Sequence, residues 1–247
     1  MHDTALEYGG LFFKTYTDNG KSIKVLDLGS QDVNGSLRTV APKKAEYVGV
    51  DFADGKGVDV KITDPYALPF DDESIDIVVS SSCFEHSEFF WLTFLELIRI
   101  LKPSGFLYIN APSNGNFHRY PVDCWRFYPD AGIALEHWAI KNGYKDVALV
   151  ESFIGVKKND LWNDFVAVFI KSQELIPLHN KKMIDQLDSY TNGYIFGNKE
   201  IIKFEEFSDD HLKNKASENR VRDIEKSISW RITKPLRSIK QILKFIK

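Results

Sequence analysis

Short apolar runs alternate with helical segments along most of the chain. Residues 24–28 (Lys-Val-Leu-Asp-Leu) form an apolar run of strand length that ends at Gly29. Helices are predicted at residues 89–101, before a Lys-Pro-Ser-Gly break, and at residues 131–142, before Gly143. Further strands are predicted at residues 46–51, 58–60, 75–80, 106–110, 146–153 and 164–170. This alternation predicts an α/β fold.

Two strand ends carry groups suited to a ligand. Gly29 follows the first strand and opens a polar loop, and Asp51 ends the second strand 22 residues later. A glycine lets a ligand approach the backbone, and an acid at the tip of the second strand can accept bonds from ribose hydroxyls. The loop from Gly29 to Gly35 does not spell the phosphate-binding pattern G-x-G-x-x-G.

Six motifs occur in a fixed order: Val-Leu-Asp-Leu-Gly, Gly-Val-Asp, Asp-Pro-Tyr-Ala-Leu-Pro-Phe, Ser-Ile-Asp-Ile-Val-Val-Ser, Glu-His and Leu-Lys-Pro-Ser-Gly. Together they resemble the class I S-adenosylmethionine-dependent methyltransferases over roughly residues 24–171. The resemblance implies a Rossmann-like sandwich with a mostly parallel seven-stranded sheet and an antiparallel edge hairpin. It also implies S-adenosylmethionine as cofactor and S-adenosylhomocysteine as product. The family's Gly-x-Gly-x-Gly loop is altered here, so the resemblance does not identify which backbone amides contact the methionine end of the cofactor.

The predicted cofactor contacts follow from these motifs. Asp27 can face the sulfonium or the amino group of the methionine moiety, or it can cap the next helix. Asp51 should hold the ribose, and Phe52 can pack on the adenine. Asp64 stands where the family places an acceptor for the adenine amino group, although Asp-Pro is also a plain turn former. The full set is Asp27, Gly29, Ser30, Gln31, Asp51, Phe52, Asp64, Pro65, Ser81 and Cys83, the last as a small apolar lining residue.

The segment of residues 112–130 follows the fifth predicted strand and is dense in aromatic side chains. Such a loop leaves the carboxyl edge of the sheet, over the ligand crevice. It is either a lid held by stacking and an internal Asp–Arg pair or the acceptor site, and we favour the acceptor site. The predicted acceptor-binding residues are Arg119, Tyr120, Asp123, Trp125 and Arg126. The stretch is similar to segments of methyltransferases associated with bacterial surface-polysaccharide synthesis.

Two histidines are candidate catalytic residues. A sugar hydroxyl must lose a proton near neutral pH, and histidine is the apt base. His118 is the first candidate and His86 the second, although Glu-His at this place is common structurally in the family. If the acceptor is already an anion, such as a phosphate or phosphoramidate, Arg119 and Arg126 would clamp it instead.

The chain is predicted to divide into a methyltransferase domain, residues 1–171, and an extension, residues 172–247. Residues 1–22 are either a helix packed on the sheet or a flap over the cofactor, and the glycines beside aromatic residues favour the flap. Residues 172–215 are expected to form short, irregular structure that packs on the body of the protein. Residues 230–247 are basic, and Leu236, Ile239, Leu243 and Ile246 share one helical face. That tail suits an anionic membrane surface, or docking on the acidic body or a second subunit.

Composition narrows the function classes. The net charge is −3, but residues 226–247 carry seven Lys or Arg and no acid, so the rest sums to −10. An acidic body does not suit nucleic acid as a partner. Two cysteines in 247 residues suit a reducing cytosol, and there is no apolar run of membrane-spanning length. A cytoplasmic protein is expected, at most peripheral at the inner membrane face, with a small-molecule or glycan acceptor. No Asp, Glu or His spacing indicates a metal.

Three rival functions remain open. A nicotinamide-dependent oxidoreductase would share the first strand and Asp51, but it would not explain residues 64–70. A nucleic-acid methyltransferase would be expected to have a basic body and a different motif after the fourth strand. The sequence has Ser-Ser-Ser-Cys at that place. A non-catalytic cofactor-binding scaffold is compatible with the altered loop after Gly29.

Overall fold

The computed structural model describes residues 3–18, 20–156 and 162–237. The chain forms two compact units, residues 1–205 and residues 206–247. The first unit contains the sheet and every residue predicted above to contact cofactor or acceptor.

The first unit is built on one eight-stranded mixed sheet. Its strands are β1 (Lys24–Leu28), β2 (Glu46–Asp51), β3 (Val60–Lys61), β4 (Ile75–Ser81), β5 (Leu101–Pro112), β6 (Ala148–Gly155), β7 (Asp164–Ile170) and β8 (Tyr190–Ile195). The order across the sheet is β3-β2-β1-β4-β5-β7-β6-β8. The first five strands pair in parallel, and β7, β6 and β8 continue the sheet antiparallel. The Rossmann-like α/β fold is therefore confirmed.

The strand order reverses beside β1, which pairs with β2 on one side and β4 on the other. Chain crossovers leave this point in opposite directions, so the carboxyl ends of the two strands open a crevice. The residues that follow β1, β2, β4 and β5 lie at that edge. The fold thus brings the loop after Gly29, Asp51 and the segment after β5 to one side of the sheet.

Helices cover both faces of the sheet. The helices of the first unit are α1 (Asp3–Tyr16), α2 (Phe90–Ile100) and α3 (Ala131–Lys141). Phe94, Leu97 and Leu135 of α2 and α3 are buried in one core against the strands. The other face is covered by α1 together with residues 173–187. Two buried layers on a sheet explain why the strands of its centre are apolar on both sides.

The leader folds as a helix, α1, whose aromatic side is buried on the sheet. Phe12 packs on Tyr108 of β5, with ring centroids 4.9 Å apart, and Tyr8 meets Phe153 of β6 edge to face at 5.5 Å. The hydroxyl of Tyr16 donates to the buried carboxylate of Glu151. These contacts match the packed-helix alternative, and a covering role over the cofactor stays a prediction.

The sheet differs from the predicted one in two places. Residues 102–105 lie within β5 instead of before it, because Leu101 already pairs with Ile75 and the next pair joins Phe106 to Ile77. The intervening residues form an irregularity that absorbs the Pro-Ser-Gly sequence. The sheet also has eight strands and not seven, since β8 forms where irregular structure was expected and pairs with β6. Residues 172–205 consequently stay in the first unit.

Within residues 206–237, the described part of the second unit, there are two helices, α4 (Asp209–Lys226) and α5 (Ile228–Ile232). Neither helix buries a residue. Ser227 caps α5 by accepting a hydrogen bond from the Trp230 amide at 3.2 Å, and the guanidinium of Arg237 stacks on the Trp230 ring at 3.7 Å. Residues 238–247 of the predicted amphipathic tail lie outside the described residues. No helix of the described part of the chain is long and apolar enough to cross a membrane.

Candidate active site

The turn after β1 requires a glycine. Gly29 has φ of +85°, and a Cβ there would lie 2.6 Å from the Cys83 Cβ and 2.9 Å from its Sγ. The amides of Gly29 and Ser30 both donate to the Val50 carbonyl, at 2.9 and 3.2 Å. The turn therefore brings the loop of β1, the end of β2 and the residues after β4 into direct contact.

Replacing Gly29 with alanine should destabilise the protein by more than the same change at Gly143. Both glycines have positive φ, +85° and +102°, so each alanine carries the strain of about 1–3 kcal/mol that such a backbone imposes. Only at Gly29 does the new methyl group also meet a neighbour, since no atom lies within 4 Å at Gly143. Urea denaturation of both variants measures the difference. Equal losses would mean that Cys83 moves aside at no cost.

Asp51 lies at the end of β2 and faces this loop. Its carboxylate accepts hydrogen bonds from the backbone amides of Gln31 and Ala53, both at 3.1 Å. Gln31 also reaches the Asp54 carbonyl with its side-chain amide at 3.4 Å. The acid that was predicted to hold a ribose therefore also orders the loop in which the family's second glycine is missing.

Asp27 is buried beneath this edge. It is 3% exposed, and its carboxylate accepts a hydrogen bond from the Tyr47 hydroxyl at 2.7 Å. Burial raises the pKa of Asp27 to about 6, against the opposing effect of the Tyr47 hydrogen bond. A carboxyl in that state has reason to bind a cationic group, which agrees with the predicted contact to the methionine end. That contact stays a prediction.

The predicted adenine contacts are more exposed. Phe52 follows β2 with 52% of its surface accessible, which leaves a ring face free to pack on a base. Asp64 accepts a hydrogen bond from the Tyr66 amide at 2.8 Å, which is the turn-forming role that its Asp-Pro sequence also predicted. Pro65 is partly buried in the same turn. The adenine role of these residues stays a prediction.

Buried polar groups line the carboxyl ends of the central strands. The hydroxyls of Ser30 and Ser81 are buried and have no hydrogen-bond partner among the described residues. Asn110 of β5 lies opposite Ser81 and is 1% exposed. The nitrogen and the oxygen of its side-chain amide are also buried without a hydrogen-bond partner among the described residues. Such groups are costly unless a ligand or water satisfies them. Asn110 was missed from the sequence, where a polar residue closing an apolar strand was the available signal.

Cys83 lies beside Gly29, directly after the fourth strand. Burial and the neighbouring Glu85 carboxylate raise the pKa of its thiol to about 12. The thiol therefore stays protonated and is a poor nucleophile. This agrees with its predicted role as a small lining residue.

The segment of residues 112–130 is held by an internal ion pair. The two Nη atoms of Arg126 donate to Asp123 at 2.6 and 2.8 Å, and the pKa of Asp123 is lowered to about 2 by this guanidinium. Arg126 also donates to the Asn116 carbonyl at 2.6 Å. The Asp–Arg pair of the lid alternative is thus present, and it fixes the geometry of the loop around His118.

The predicted acceptor residues face three different places. The hydroxyl of Tyr120 donates to Gln31 at 3.2 Å, which joins the segment to the loop after β1. Trp125 donates to the Ser87 carbonyl at 3.0 Å and lines an apolar cleft of about 380 Å³ with Trp91 and Trp138. Arg119 is exposed, and its Nε donates to the Pro121 carbonyl at 3.2 Å. The Tyr120 contact places part of the segment beside the loop after β1, and the acceptor role of these residues stays a prediction.

The structure brings the two candidate bases together. The rings of His86 and His118 meet edge to face, with centroids 5.0 Å apart, although 32 positions separate them in the chain. Nε2 of His86 lies 3.6 Å from Oε1 of Glu85. His118 packs on Trp162 at 4.7 Å, and its Nδ1 lies 3.4 Å from Asp123 Oδ2. Burial lowers the pKa of His86, so its ring is neutral near pH 7.

Glu85 is a second residue that the sequence reasoning overlooked. It is 1% exposed, burial raises its pKa to about 8, and its Oε2 has no hydrogen-bond partner among the described residues. With His118 and Asp164 it lines a small polar pocket, which Ser82, Pro112 and Trp162 complete. The Glu-His pair was noticed only as a family motif, and no spacing rule connects it to a histidine 32 positions away.

Comparison with known proteins identifies the kind of domain. Residues 9–109 match the family described as "Methyltransferase domain". No curated protein matches the sequence significantly. Among solved structures, the 1,6-didemethyltoxoflavin-N1-methyltransferase of Burkholderia thailandensis, which holds S-adenosylhomocysteine, is 13% identical over 69% of this chain and 79% of its own, with a TM-score of 0.52. The cyclase SpnF has the same TM-score of 0.52 at 12% identity, over 68% of this chain and 81% of its own.

These comparisons establish a class I methyltransferase fold and indicate S-adenosylmethionine as the cofactor. The edge described above fits that molecule. The hydroxyls of Ser30 and Ser81, which have no partner among the described residues, can bond its polar groups. The similarity to SpnF shows that the same fold also occurs in a cyclase. The fold therefore supports the cofactor, while the acceptor must be inferred from the site.

Proposed function

We infer that this chain is an S-adenosylmethionine-dependent methyltransferase, and we propose that it methylates an oxygen of a sugar or of a sugar-phosphate decoration. The observation that carries the proposal is the polar pocket of Glu85, His118 and Asp164. Glu85 follows two positions after Cys83, whose Cβ closes on Gly29 in the predicted cofactor loop. An acceptor group in this pocket would therefore lie close to the methyl donor.

The sulfonium of the cofactor supplies an activated methyl group, so the protein mainly has to align the acceptor with it. A hydroxyl acceptor must also lose its proton. We propose His118 for this step, with His86 as the second candidate. Asp123 and the Asn116 carbonyl both lie 3.4 Å from Nδ1 of His118, and both are acceptors. The Arg126 guanidinium, which can only donate, lies 3.5 Å from the same Nδ1. The proposed base step requires the tautomer with the proton on Nδ1, in which the Nε2 lone pair accepts the hydroxyl proton.

The alternative acceptor is a small anion such as a phosphate or phosphoramidate. It would need free guanidinium groups near the pocket. Both Nη atoms of Arg126 already donate hydrogen bonds to Asp123. Of the two arginines predicted to bind an anion, this leaves the exposed Arg119. The pairing of Arg126 therefore favours a neutral hydroxyl. A role in bacterial capsule or lipopolysaccharide synthesis is proposed from the similarity of residues 118–127 to segments of methyltransferases associated with such systems.

Transfer of a labelled methyl group tests this proposal. The full chain is incubated with S-[methyl-³H]adenosylmethionine and a panel of nucleotide sugars, their phosphorylated derivatives and small phosphate esters, and the products are separated by chromatography. We expect label on a sugar-containing acceptor, in an ether that survives mild base. Label only on phosphate-type anions would support the alternative acceptor and remove the need for a base.

Calorimetry with S-adenosylhomocysteine separates an enzyme from a scaffold that has lost its cofactor site. Saturable binding is expected because the edge with Gly29, Ser30 and Ser81 fits the cofactor. Absence of binding would remove both the donor and the methyltransferase function. If S-adenosylhomocysteine binds but no acceptor of the panel is methylated, the cofactor assignment would stand and the proposed acceptor class would be rejected.

The C-terminal tail is proposed to bind anionic membrane surfaces, so removal of residues 230–247 should abolish binding to anionic vesicles. The segment contains six Lys or Arg and no acid, and each basic residue near such a surface contributes about 1 kcal/mol. In the described part of this segment, Ile232 and Leu236 are 72% and 68% exposed and free to enter an interface. Methylation of a soluble acceptor should persist after truncation.

Cosedimentation with phosphatidylserine-containing vesicles at low and moderate salt measures this effect. A matched variant, Arg231→Gln with Lys234→Gln and Arg237→Gln, keeps the apolar residues and removes half of the charge. It should bind more weakly than the full chain and more strongly than the truncated one. Full-length protein that stays in the supernatant at low salt would reject membrane binding. A lower melting temperature or a smaller oligomer after truncation would instead indicate a docked tail.

A further inference from the structure

Glu85, His86 and His118 present three potential metal-ligating atoms within 4.8 Å of one another. The separation of Glu85 Oε1 and His86 Nε2 is 3.6 Å. Two ligands at 2.0–2.1 Å from a tetrahedral zinc ion are about 3.4 Å apart. The pair thus already has nearly the spacing that a bound ion imposes, and a ring nitrogen of His118 lies within 4.8 Å of both ligand atoms.

The groups around the two rings orient them for a metal. A metal-ligating histidine usually donates its other ring N–H to a carbonyl or a carboxylate, which fixes the tautomer. Nδ1 of His86 contacts the Val122 carbonyl, and Nδ1 of His118 faces Asp123 Oδ2 at 3.4 Å. A carbonyl can only accept, so the His86 ring keeps its proton on Nδ1 and offers its Nε2 lone pair to an ion. The Arg126 guanidinium also lies 3.5 Å from Nδ1 of His118, so contacts with both Asp123 and Arg126 position that ring beside His86.

The carboxylate completes the set and gives independent support. Glu85 is 1% exposed, and its Oε2 has no hydrogen-bond partner among the described residues, although it lines the polar pocket. A buried carboxylate oxygen without a partner is costly unless a cation or a donor satisfies it.

We propose that Glu85, His86 and His118 form a binding site for a divalent metal ion of the zinc class. Two imidazoles and one carboxylate are a ligand set of catalytic zinc sites, and they leave a position open for water or substrate. Glu85 and His118 of this set also line the pocket in which the acceptor is proposed to bind. A hydroxyl bound to the ion loses its proton more easily, so the base role proposed for His118 describes the metal-free protein.

The metal site rests on the proposed function only in its suggested effect on the acceptor hydroxyl. Metal binding can therefore be tested separately from methyl transfer. Untagged full-length protein is stripped with a chelator, dialysed against Zn²⁺ and analysed for bound metal. We expect about one Zn²⁺ per chain, as in a site with three protein ligands. Loss of a ligand in Glu85→Gln or His118→Ala should weaken Zn²⁺ binding by more than the roughly 10–100-fold that loss of an outer partner costs.

His137→Ala is the matched control, because His137 is exposed on α3 and lies outside the cluster. S-adenosylhomocysteine affinity and the melting temperature verify that each variant is folded, and the partly exposed His118 covers the case in which Glu85→Gln fails to fold. Co²⁺-loaded protein should show the visible bands of a nitrogen- and oxygen-ligated site. No bound Zn²⁺, equal binding by His118→Ala and His137→Ala, or a thiolate band from Cys83 or Cys124 would each overturn the proposal.

Discussion

Replacing His118 with alanine is expected to lower kcat by about 10²–10⁴-fold, the usual contribution of a positioned acid–base group. His118 lines the polar pocket beside Glu85, and Asp123 holds its ring through the backbone amide at 2.6 Å and through Nδ1 at 3.4 Å. The same loss is expected if His118 acts as a ligand of a metal that activates the hydroxyl. Affinity for S-adenosylhomocysteine should barely change, because none of the contacts of the loop after Gly29 involves this side chain.

Steady-state kinetics at saturating cofactor and acceptor measure the effect. His137→Ala should retain full kcat, since its side chain is exposed on α3. Near-normal turnover by His118→Ala with the true acceptor would transfer the base role to His86 or support an anionic acceptor. Metal analysis of the same variant separates the two roles of His118, because loss of a free base leaves the bound Zn²⁺ unchanged.

Replacing Asp51 with alanine is expected to weaken cofactor binding by about 1.5–3 kcal/mol, which is roughly 10–150-fold in Kd. The carboxylate accepts the amide protons of Gln31 and Ala53, and it is predicted to accept those of the ribose as well. Its removal therefore deletes charged acceptors and loosens the loop that borders the cofactor. The fold should remain, because the side chain lies at the edge of the sheet and not in its core.

Calorimetry with S-adenosylhomocysteine gives the affinity, and Asp54→Ala is the matched control. Asp54 lies three positions further on, and its side chain is 79% exposed in an ion pair with Lys61. Gln31 bonds only the backbone carbonyl of Asp54, so this substitution leaves the loop intact. An unchanged affinity in Asp51→Ala would remove Asp51 from the cofactor site.

The sequence by itself determined the framework. Strands β1 and β2 form where runs rich in apolar residues end in Gly29 and Asp51. β1 is buried along most of its length, as expected of a central parallel strand, and β2 is buried only at Gly49 and Val50. The helix at Ala131–Lys141 ends where Gly143 follows, since a residue with positive φ closes a helix at little cost in glycine. Local pattern and local backbone geometry suffice for such features.

The edges of the sheet needed the tertiary structure. Strand β8 reads Tyr-Thr-Asn-Gly-Tyr-Ile, which mixes polar and apolar positions because it borders the sheet and is only partly buried. The start of β5 at Leu101 depends on pairing with Ile75, and no pattern within residues 102–105 reveals that pairing. Register between distant strands is set by their mutual packing, so it cannot be predicted from the sequence of either strand alone.

The active site shows the same division. The sequence identified His86 and His118 separately, and it offered an internal Asp–Arg pair only as the alternative to an acceptor site in residues 112–130. Only the fold decided that the two histidines meet, that Glu85 is buried beside them and that Arg126 is engaged by Asp123. Burial and proximity change the charge and the partners of a side chain, and both depend on strands and loops that converge from distant parts of the chain.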